Sequence, residues 1–186
     1  MKASPFLMFF DVESIGLHGE GFAVGWAVVD AAGEPLKTQR WSCPPNAASG
    51  AATDRAWVEA NVPSFAATHE NPRALRAAFW ASWLSWHEQG AWLVADCPWP
   101  VEARFLSACV DDQGAVAHWQ GPYPLLDVST LVMAAGCDPR TAMERLSEAE
   151  RPMHDPLADV HHAIRRWRES GAALASCPSP AHPQEP

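Results

Sequence analysis

Residues 6–30, FLMFFDVESIGLHGEGFAVGWAVVD, hold two apolar segments separated by a glycine-containing turn. Phe6–Asp11 is a short run of large apolar residues that ends on an acid, which is typical of a buried strand. Gly21–Asp30 predicts a second strand, and a turn at Ala31–Glu34 leads into a third near Pro35–Ser42. The sequence therefore predicts an antiparallel meander at the start of the fold.

The rest of the chain predicts helices and one further apolar strand. Ala91–Ala95 is expected to form a buried fourth strand that ends at Asp96. A short helix is predicted over about Arg55–Asn61, with Asp54 as its cap. The last helix is capped by Asp155, has Pro156 in its first turn and runs to about Ser170. Between them, the sequence predicts helices over about Pro72–Gln89, Pro100–Cys109, Leu126–Gly136 and Pro139–Ala149, and a strand near Ala115–Trp119. This order fits an α/β fold with a mixed central sheet flanked by helices.

Length and composition indicate one globular domain. The chain has 186 residues, of which 48% are hydrophobic, and we expect a single domain over residues 1–175. Residues 176–186 carry four prolines and no apolar pattern, which predicts a disordered tail. The apolar run at residues 6–10 is too short for a signal peptide or a membrane span. We therefore expect a cytoplasmic protein without a membrane partner.

The charge balance limits the classes of partner that such a chain can bind. Its formal net charge is −9, whereas proteins that grip long nucleic acids are usually basic, because Lys and Arg neutralise phosphates. The balance permits an enzyme that holds a short strand end through a few contacts and bridging metal ions. Arg165, Arg166 and Arg168 on the last helix predict a solvated helix face.

Acidic residues stand at three separate points of the predicted fold. Asp11 and Glu13 lie at the end of the first strand, where residues two apart share one face, with Cα atoms roughly 6.6 Å apart. Asp96 ends the fourth strand. His154 precedes the last helix, and Asp159 projects from its first full turn. Carboxylates suit Mg²⁺, and an imidazole can accept a proton from a metal-polarised water. Each group alone is a weak signal, and their joint order carries the interpretation.

That order resembles the DEDDh 3′→5′ exonucleases, which include ribonuclease T, oligoribonuclease and proofreading subunits. FFDVESIG at 9–16 is similar to the family's hydrophobic-D-x-E-[T/S]-x-G opening, and HDPLADVHHA at 154–163 to its closing H-x₄-D segment. LLDVSTL at 125–131 resembles a segment between the second and third motifs. The second motif, ADCPWPVEARFL at 95–106, lacks the usual Asn-x-x-Phe-Asp lead-in. The likeness spans about residues 6–168 and implies a ribonuclease H-like fold.

The resemblance also implies a mechanism. Asp11, Glu13 and Asp159 would bind one Mg²⁺ or Mn²⁺, and Asp11 and Asp96 would contact a second ion, Asp96 directly or through water. His154 would deprotonate the attacking water, and the product would be a nucleoside 5′-monophosphate. The implied contacts to the terminal nucleotide come from the turn after Glu13: Ser14, Ile15, Gly16 and Leu17. Trp99 is the candidate for base stacking.

Other readings of the same residues stay open at this point. His154 and Asp155, with His161 and His162, match the ligands of an HD-type metal phosphohydrolase, although those enzymes are all-helical. A non-catalytic exonuclease-like binding module is a second alternative. Within the exonucleases, DRAWVEANV at 54–62 loosely resembles certain bacterial exoribonucleases, which favours single-stranded RNA 3′ ends over DNA. A homodimer is expected only by analogy with small relatives.

Overall fold

The computed structural model describes residues 6–114, 119–140 and 144–176. Within these ranges the strands are β1 (Phe6–Ser14), β2 (Gly21–Asp30), β3 (Pro35–Ser42), β4 (Trp92–Ala95) and β5 (Leu126–Asp127). The α-helices are α1 (Ala52–Asn61), α2 (Pro72–His87), α3 (Val101–Gln113), α4 (Val128–Ala134) and α5 (Pro156–Ser176). None of these helices combines the length and apolar character needed to cross a membrane.

The strands form one mixed sheet in the order β3-β2-β1-β4-β5. β2 pairs antiparallel with both β1 and β3, which confirms the predicted meander. β4 pairs parallel with β1, and β5 pairs parallel with β4. The carboxyl ends of β1 and β4 therefore meet at one edge of the sheet, where ligands of α/β proteins usually bind.

Two hydrophobic cores lie on opposite faces of the sheet, because successive side chains of a strand point to opposite sides. Met8, Phe10 and Val12 of β1 belong to the core that α2 and α3 cover. Phe9 belongs to the second core, which α4 and α5 cover. Fully burying a side chain of this kind contributes about 1.5–3 kcal/mol. The same alternation directs the even and odd residues at the end of β1 to different helices.

β1 is longer than its partner β4, and this difference creates the open edge at which the candidate site lies. The parallel ladder between them pairs only Leu7, Met8 and Phe9 with β4. Past Phe9, β1 continues to Ser14 with β2 on one side alone. The last residues of β1 therefore expose backbone and side chains to the groups that follow β4.

Gly25 allows the start of α5 to approach the sheet. It pairs with Asp11 across β1 and β2, and a Cβ atom there would overlap the backbone of Pro156 and Leu157. A glycine is needed because only hydrogen occupies that space. The close approach places the beginning of α5 directly over the acidic end of β1.

Several predicted elements differ from the structure. No helix forms over the described parts of Pro139–Ala149, residues 139–140 and 144–149; a 3-10 turn at Glu148–Glu150 is present instead. Leu126 and Asp127 form β5 rather than the first turn of a helix. Asp54 lies within the first turn of α1, which begins at Ala52. Residues 115–118 of the predicted Ala115–Trp119 strand lie outside the described residues.

The last helix is longer than predicted. α5 runs to Ser176, six residues beyond the expected end, so the first residue of the predicted tail is helical. Residues 177–186 lie outside the described residues. The predicted start of α5 is confirmed: the Asp155 carboxylate accepts a hydrogen bond from Leu157 N at 3.0 Å, and Pro156 occupies the first turn.

Candidate active site

The end of β1 contributes two carboxylates to the candidate site. Asp11 and Glu13 continue the face of Phe9, whose core α4 and α5 cover, and they therefore point toward the start of α5. Glu13 is only 8% exposed. Two acids on one face of a strand end, as the D-x-E spacing predicted, are thus held close to the helix.

The start of α5 brings the histidine and the third carboxylate. His154 adopts a left-handed backbone conformation with φ of 62°, just before the Asp155 cap. Asp159 follows one turn later, where its N–H donates to the carbonyl of Asp155 at 2.9 Å. The Nδ1 atom of His154 lies 3.8 Å from Oε1 of Glu13. One donor atom each from Glu13, His154 and Asp159 all lie within 4.8 Å of one another.

Burial and mutual repulsion disfavour the ionised forms of these acids. Burial raises the pKa of Asp11 well above its ordinary value, and the charges of Asp159 and Glu102 raise it further. Burial, with the charges of Asp159 and Glu102, raises the pKa of Glu13 to about 8. Burial also raises the pKa of Asp159, although an ion pair with Arg145 at 2.5 Å opposes the shift. The positive charge near these acids is therefore too small to keep all of them ionised.

A divalent cation fits this donor set. Hard carboxylate oxygens with one imidazole are ligands that Mg²⁺ and Mn²⁺ accept, and the close, buried negative charges are the surroundings that a cation would neutralise. The residues that would hold it are Glu13 and Asp159, with His154 beside them; Asp11 lines the same cleft.

Asp96 directly follows β4 at this edge of the sheet, close to the predicted position, but other side chains bind its carboxylate. One oxygen accepts a hydrogen bond from Ser129 Oγ at 2.6 Å. The other forms an ion pair with Arg166, which also donates to the carbonyl of Pro139 at 2.9 Å. Arg166 is buried, so the predicted solvated arginine face is wrong at this position. Arg165 is likewise turned inward, onto Glu150.

Glu102, in the first turn of α3, is a site residue that the sequence analysis missed. Its Oε1 accepts a hydrogen bond from Val12 N at 3.2 Å, between the two acids of β1. The side chain is buried, and that burial, together with the charges of Asp96 and Asp159, raises its pKa to about 8 despite hydrogen bonds that lower it. The available signal was an acid six residues after Asp96, in the first turn of a predicted helix.

An open cleft of about 520 Å³ runs over these groups. All five predicted catalytic residues line it, together with four of the five predicted substrate contacts: Asp11, Glu13, Asp96, His154, Asp159, Ser14, Gly16, Leu17 and Trp99. Ile15 is the exception, and that prediction is wrong. Its side chain is fully buried in the core, and its N–H donates to the carbonyl of Glu20, so neither group is available to a nucleotide.

Exposed apolar side chains stand on the wall of the cleft. Leu17 and Trp99 are both largely exposed there. Trp57 of α1 is half exposed, and its ring packs edge-on against His154 with centroids 5.2 Å apart. Trp57 was not predicted as a site residue, although it lies within the DRAWVEANV segment. These three side chains offer flat or apolar surfaces beside the acidic groups.

The HD-type alternative is wrong, because the chain is built on a five-stranded sheet and its histidines have other partners. His162 is buried and pairs with Glu150 at 2.9 Å. His161 lines a different cavity, beside Glu150 and Arg165. Asp155 forms an ion pair with Arg40 in addition to capping α5.

Solved structures of exonucleases share this fold. Zinc-bound E. coli exonuclease I in complex with single-stranded DNA matches 94% of the chain with a TM-score of 0.58 and 13% identity. Exonuclease I from Methylocaldum szegediense matches 88% with a TM-score of 0.56 and 16% identity. A 3′-exonuclease that recognises the 3′ end of a histone mRNA stem-loop matches 94% with a TM-score of 0.51 and 11% identity.

The chain spans only part of these proteins: 41% of the E. coli structure, 40% of the M. szegediense structure and 65% of the 3′-exonuclease. No protein-family model matches the sequence, and no curated protein matches it at a significant level. The structural likeness confirms the predicted fold class, a ribonuclease H-like α/β fold with a mixed central sheet.

Proposed function

We propose that this protein is a metal-dependent 3′→5′ exonuclease that removes nucleotides from single-stranded ends. The observation that carries this proposal is the meeting of Glu13, His154 and Asp159 within 4.8 Å in a fold shared with known exonucleases. The residues come from opposite ends of the chain, so their meeting is a property of the fold. The proposal covers one catalytic domain, residues 1–175, working in the cytoplasm; homodimer formation stays a prediction.

Two divalent cations, Mg²⁺ or Mn²⁺, would polarise the attacking water and neutralise charge that develops on the phosphate. The chain's own residues supply the rest. Asp11, Glu13 and Asp159 would hold the cations, and His154 would take the proton from the water. The 3.8 Å approach to Glu13 and the packing of Trp57 orient the imidazole toward the cleft. The product is a nucleoside 5′-monophosphate.

The terminal nucleotides lie against the wall of the cleft in this proposal. Trp57 and Trp99 are exposed aromatic rings on which bases can stack, at about 1–3 kcal/mol for each base, and Leu17 supports the base beside them. Ser14 and Gly16 line the same cleft and would lie near the terminal sugar. The net charge of −9 suits a short strand end, since few cationic groups are available to follow a long backbone.

We favour RNA over DNA as the substrate. The segment that resembles bacterial exoribonucleases forms α1, the helix that presents Trp57 to the cleft. Both classes are represented among proteins of this fold: one structure contains single-stranded DNA, and another recognises a histone mRNA stem-loop.

The test is product release from single-stranded RNA and DNA oligonucleotides of equal sequence, in Mg²⁺, Mn²⁺ or EDTA, with nucleotides identified by mass spectrometry. We expect nucleoside 5′-monophosphates in Mg²⁺ or Mn²⁺, faster release from RNA, and none in EDTA. Binding of the oligonucleotide without release of nucleotides in any condition would favour the non-catalytic binding module. Nucleoside 3′-monophosphates, or release that EDTA does not stop, would overturn the proposal.

A further inference from the structure

We propose that Glu102, rather than Asp96, is the carboxylate of the β4–α3 segment that binds a divalent cation together with Asp11. This inference rests on the proposed metal-dependent activity. It differs from the motif, in which the acid at the end of the fourth strand is the ligand. The reasons lie in the partners that each of the two acids has in the fold.

Both carboxylate oxygens of Asp96 already have a partner, one neutral and one cationic. Ser129 Oγ donates to Oδ1 at 2.6 Å, and Arg166 pairs with Oδ2. The arginine side chain is only 5% exposed and is also held by the carbonyl of Pro139 at 2.9 Å. A cation at Asp96 would have to share the carboxylate with a buried guanidinium, and two positive charges in contact repel strongly where water is excluded.

Glu102 is placed among the ligands instead. β4 stops pairing with β1 at Phe9, so the N–H of Val12 needs another acceptor, and Oε1 of Glu102 provides it at 3.2 Å. Because Val12 lies between Asp11 and Glu13, this bond fixes the carboxylate of Glu102 beside both acids of β1. Glu102 also lines the same cleft as the two acids and Asp159.

The sequence of the segment is consistent with a displaced ligand. ADCPWPVEARFL departs from the family pattern around Asp96, and it places an acid six residues later, in the first turn of α3. In this reading Asp96 is a positioning residue: it anchors Arg166 of α5 and Ser129 of α4 beneath the site, while Glu102 contacts the cation.

Matched neutral variants separate the two roles. Glu102→Gln keeps an oxygen that can accept the Val12 N–H, and it removes only the charge. Asp96→Asn likewise keeps a carbonyl oxygen for Ser129. Isothermal titration with Mn²⁺ would be run on wild type, both variants and Glu88→Gln, an exposed control at the far end of α2. Because even indirect partners of a metal contribute about 10–100-fold to its affinity, we expect Glu102→Gln to weaken Mn²⁺ binding by about a hundredfold or more and Asp96→Asn by about tenfold or less. The control should match wild type.

The outcomes distinguish the inference from the proposed function. Wild-type protein that binds no Mn²⁺ would overturn both. Wild-type protein that binds Mn²⁺, with an equal or larger loss in Asp96→Asn than in Glu102→Gln, would overturn the role of Glu102 alone. Thermal unfolding in EDTA shows whether each variant is folded, and we expect Asp96→Asn to lose more stability because Arg166 loses its counter-charge.

A measurement without any variant tests the same point. In crystals of the wild-type protein soaked in Mn²⁺, anomalous scattering would locate the ion. We expect a carboxylate oxygen of Glu102 at about 2.1 Å from it, with the Asp96–Arg166 pair intact. An ion bonded to Asp96, with Arg166 displaced, would overturn the inference even if neither variant folds.

Discussion

Two groups of buried acids in this protein have opposite electrostatic surroundings. In the cleft, Glu13 is 8% exposed and Glu102 is 6% exposed, and burial among other acids raises the pKa of each to about 8. Glu150, on the other side of α5, is 4% exposed. There burial works against ionisation, but hydrogen bonds led by those from Arg165 and His162 outweigh it and lower the pKa to about 2.

The difference shows that burial alone does not decide the charge of an acid. Side chains of the protein stabilise the charge of Glu150: Arg165 Nε lies 3.0 Å from its carboxylate, and His162 Nδ1 lies 2.9 Å from it. The cleft acids lie close to one another, and within the described part of the chain only Asp159 and Asp96 form an ion pair with an arginine. Glu150 is therefore neutralised by side chains of the protein, whereas the cleft acids are neutralised only in part. This difference is the physical basis of the proposed metal dependence.

The largest effect is expected at Asp11, the acid at the centre of the cleft cluster. Asp11→Asn should reduce metal-dependent nucleotide release to background, because the variant keeps the size of the side chain and removes the charge that both cations need. Asp111→Asn, at an exposed position of α3, is the control and should retain wild-type turnover. A wild-type kcat in Asp11→Asn would mean that the cleft acids, like Glu150, are not needed for catalysis.

His154 should give the second largest effect. His154→Ala should lower kcat by roughly 10²–10⁴-fold, because it removes the group that accepts the proton from water. His162→Ala is the comparison within the Glu150 group, and it should lower thermal stability while kcat of the folded protein changes little. Steady-state rates on a single-stranded oligonucleotide check both. Equal losses of kcat in His154→Ala and His162→Ala would contradict a catalytic role for the cleft group alone.

The same substitution should change stability in opposite directions in the two groups. Glu150→Gln removes the counter-charge of Arg165 and should lower the free energy of unfolding by about 3 kcal/mol. Glu13→Gln removes a repelled, desolvated charge and should raise it by about 1 kcal/mol in EDTA at pH 8. Denaturant unfolding measures both values. A stabilised Glu150→Gln, or a destabilised Glu13→Gln, would contradict the assignment of the two groups.

A smaller effect is expected from pH alone. The pKa of Glu13 is about 8 in the folded chain against an ordinary value of 4.5, so between these values the folded state binds the proton that the unfolded state has lost. Stability of the metal-free protein should therefore fall as pH rises from 5.5 to 8.5. We expect Tm in EDTA to drop by several degrees, and Mg²⁺ to reverse the drop at pH 8.5. A flat profile in EDTA that Mg²⁺ leaves unchanged would contradict the raised pKa.

The sequence predicted the parts of this fold that depend on local pattern. The apolar runs of Phe6–Asp11 and Gly21–Asp30 identified β1 and β2. The Asp155-Pro156 pair identified the start of α5, because capping and proline geometry are local effects. Pro139–Ala149 was predicted as helix from the same kind of pattern. There the tertiary contacts prevail: Arg165 donates to the carbonyl of Glu144 at 2.8 Å.

The sequence predicted which residues lie together in the cleft where the motif is intact. It did not predict the contacts that depend on packing between distant parts of the chain. Asp11, Glu13, His154 and Asp159 are brought together as the spacing indicated. Glu102 bonds to a residue 90 positions away, and local periodicity contains no information on such a contact. The partner of Asp96 is 70 positions away. The burial of Ile15 followed from packing against Gly50, which the turn chemistry of residues 14–20 did not reveal.

The direction of digestion tests the central claim most directly. A single-stranded RNA labelled at its 5′ end in one sample and at its 3′ end in another would be incubated with the protein in Mg²⁺ and resolved by length over time. The account predicts a ladder that shortens one nucleotide at a time from the 5′-labelled strand, immediate release of a labelled mononucleotide from the 3′-labelled strand, and no change in EDTA. Shortening from the 5′ end, internal cleavage, or the same ladder in EDTA would contradict it.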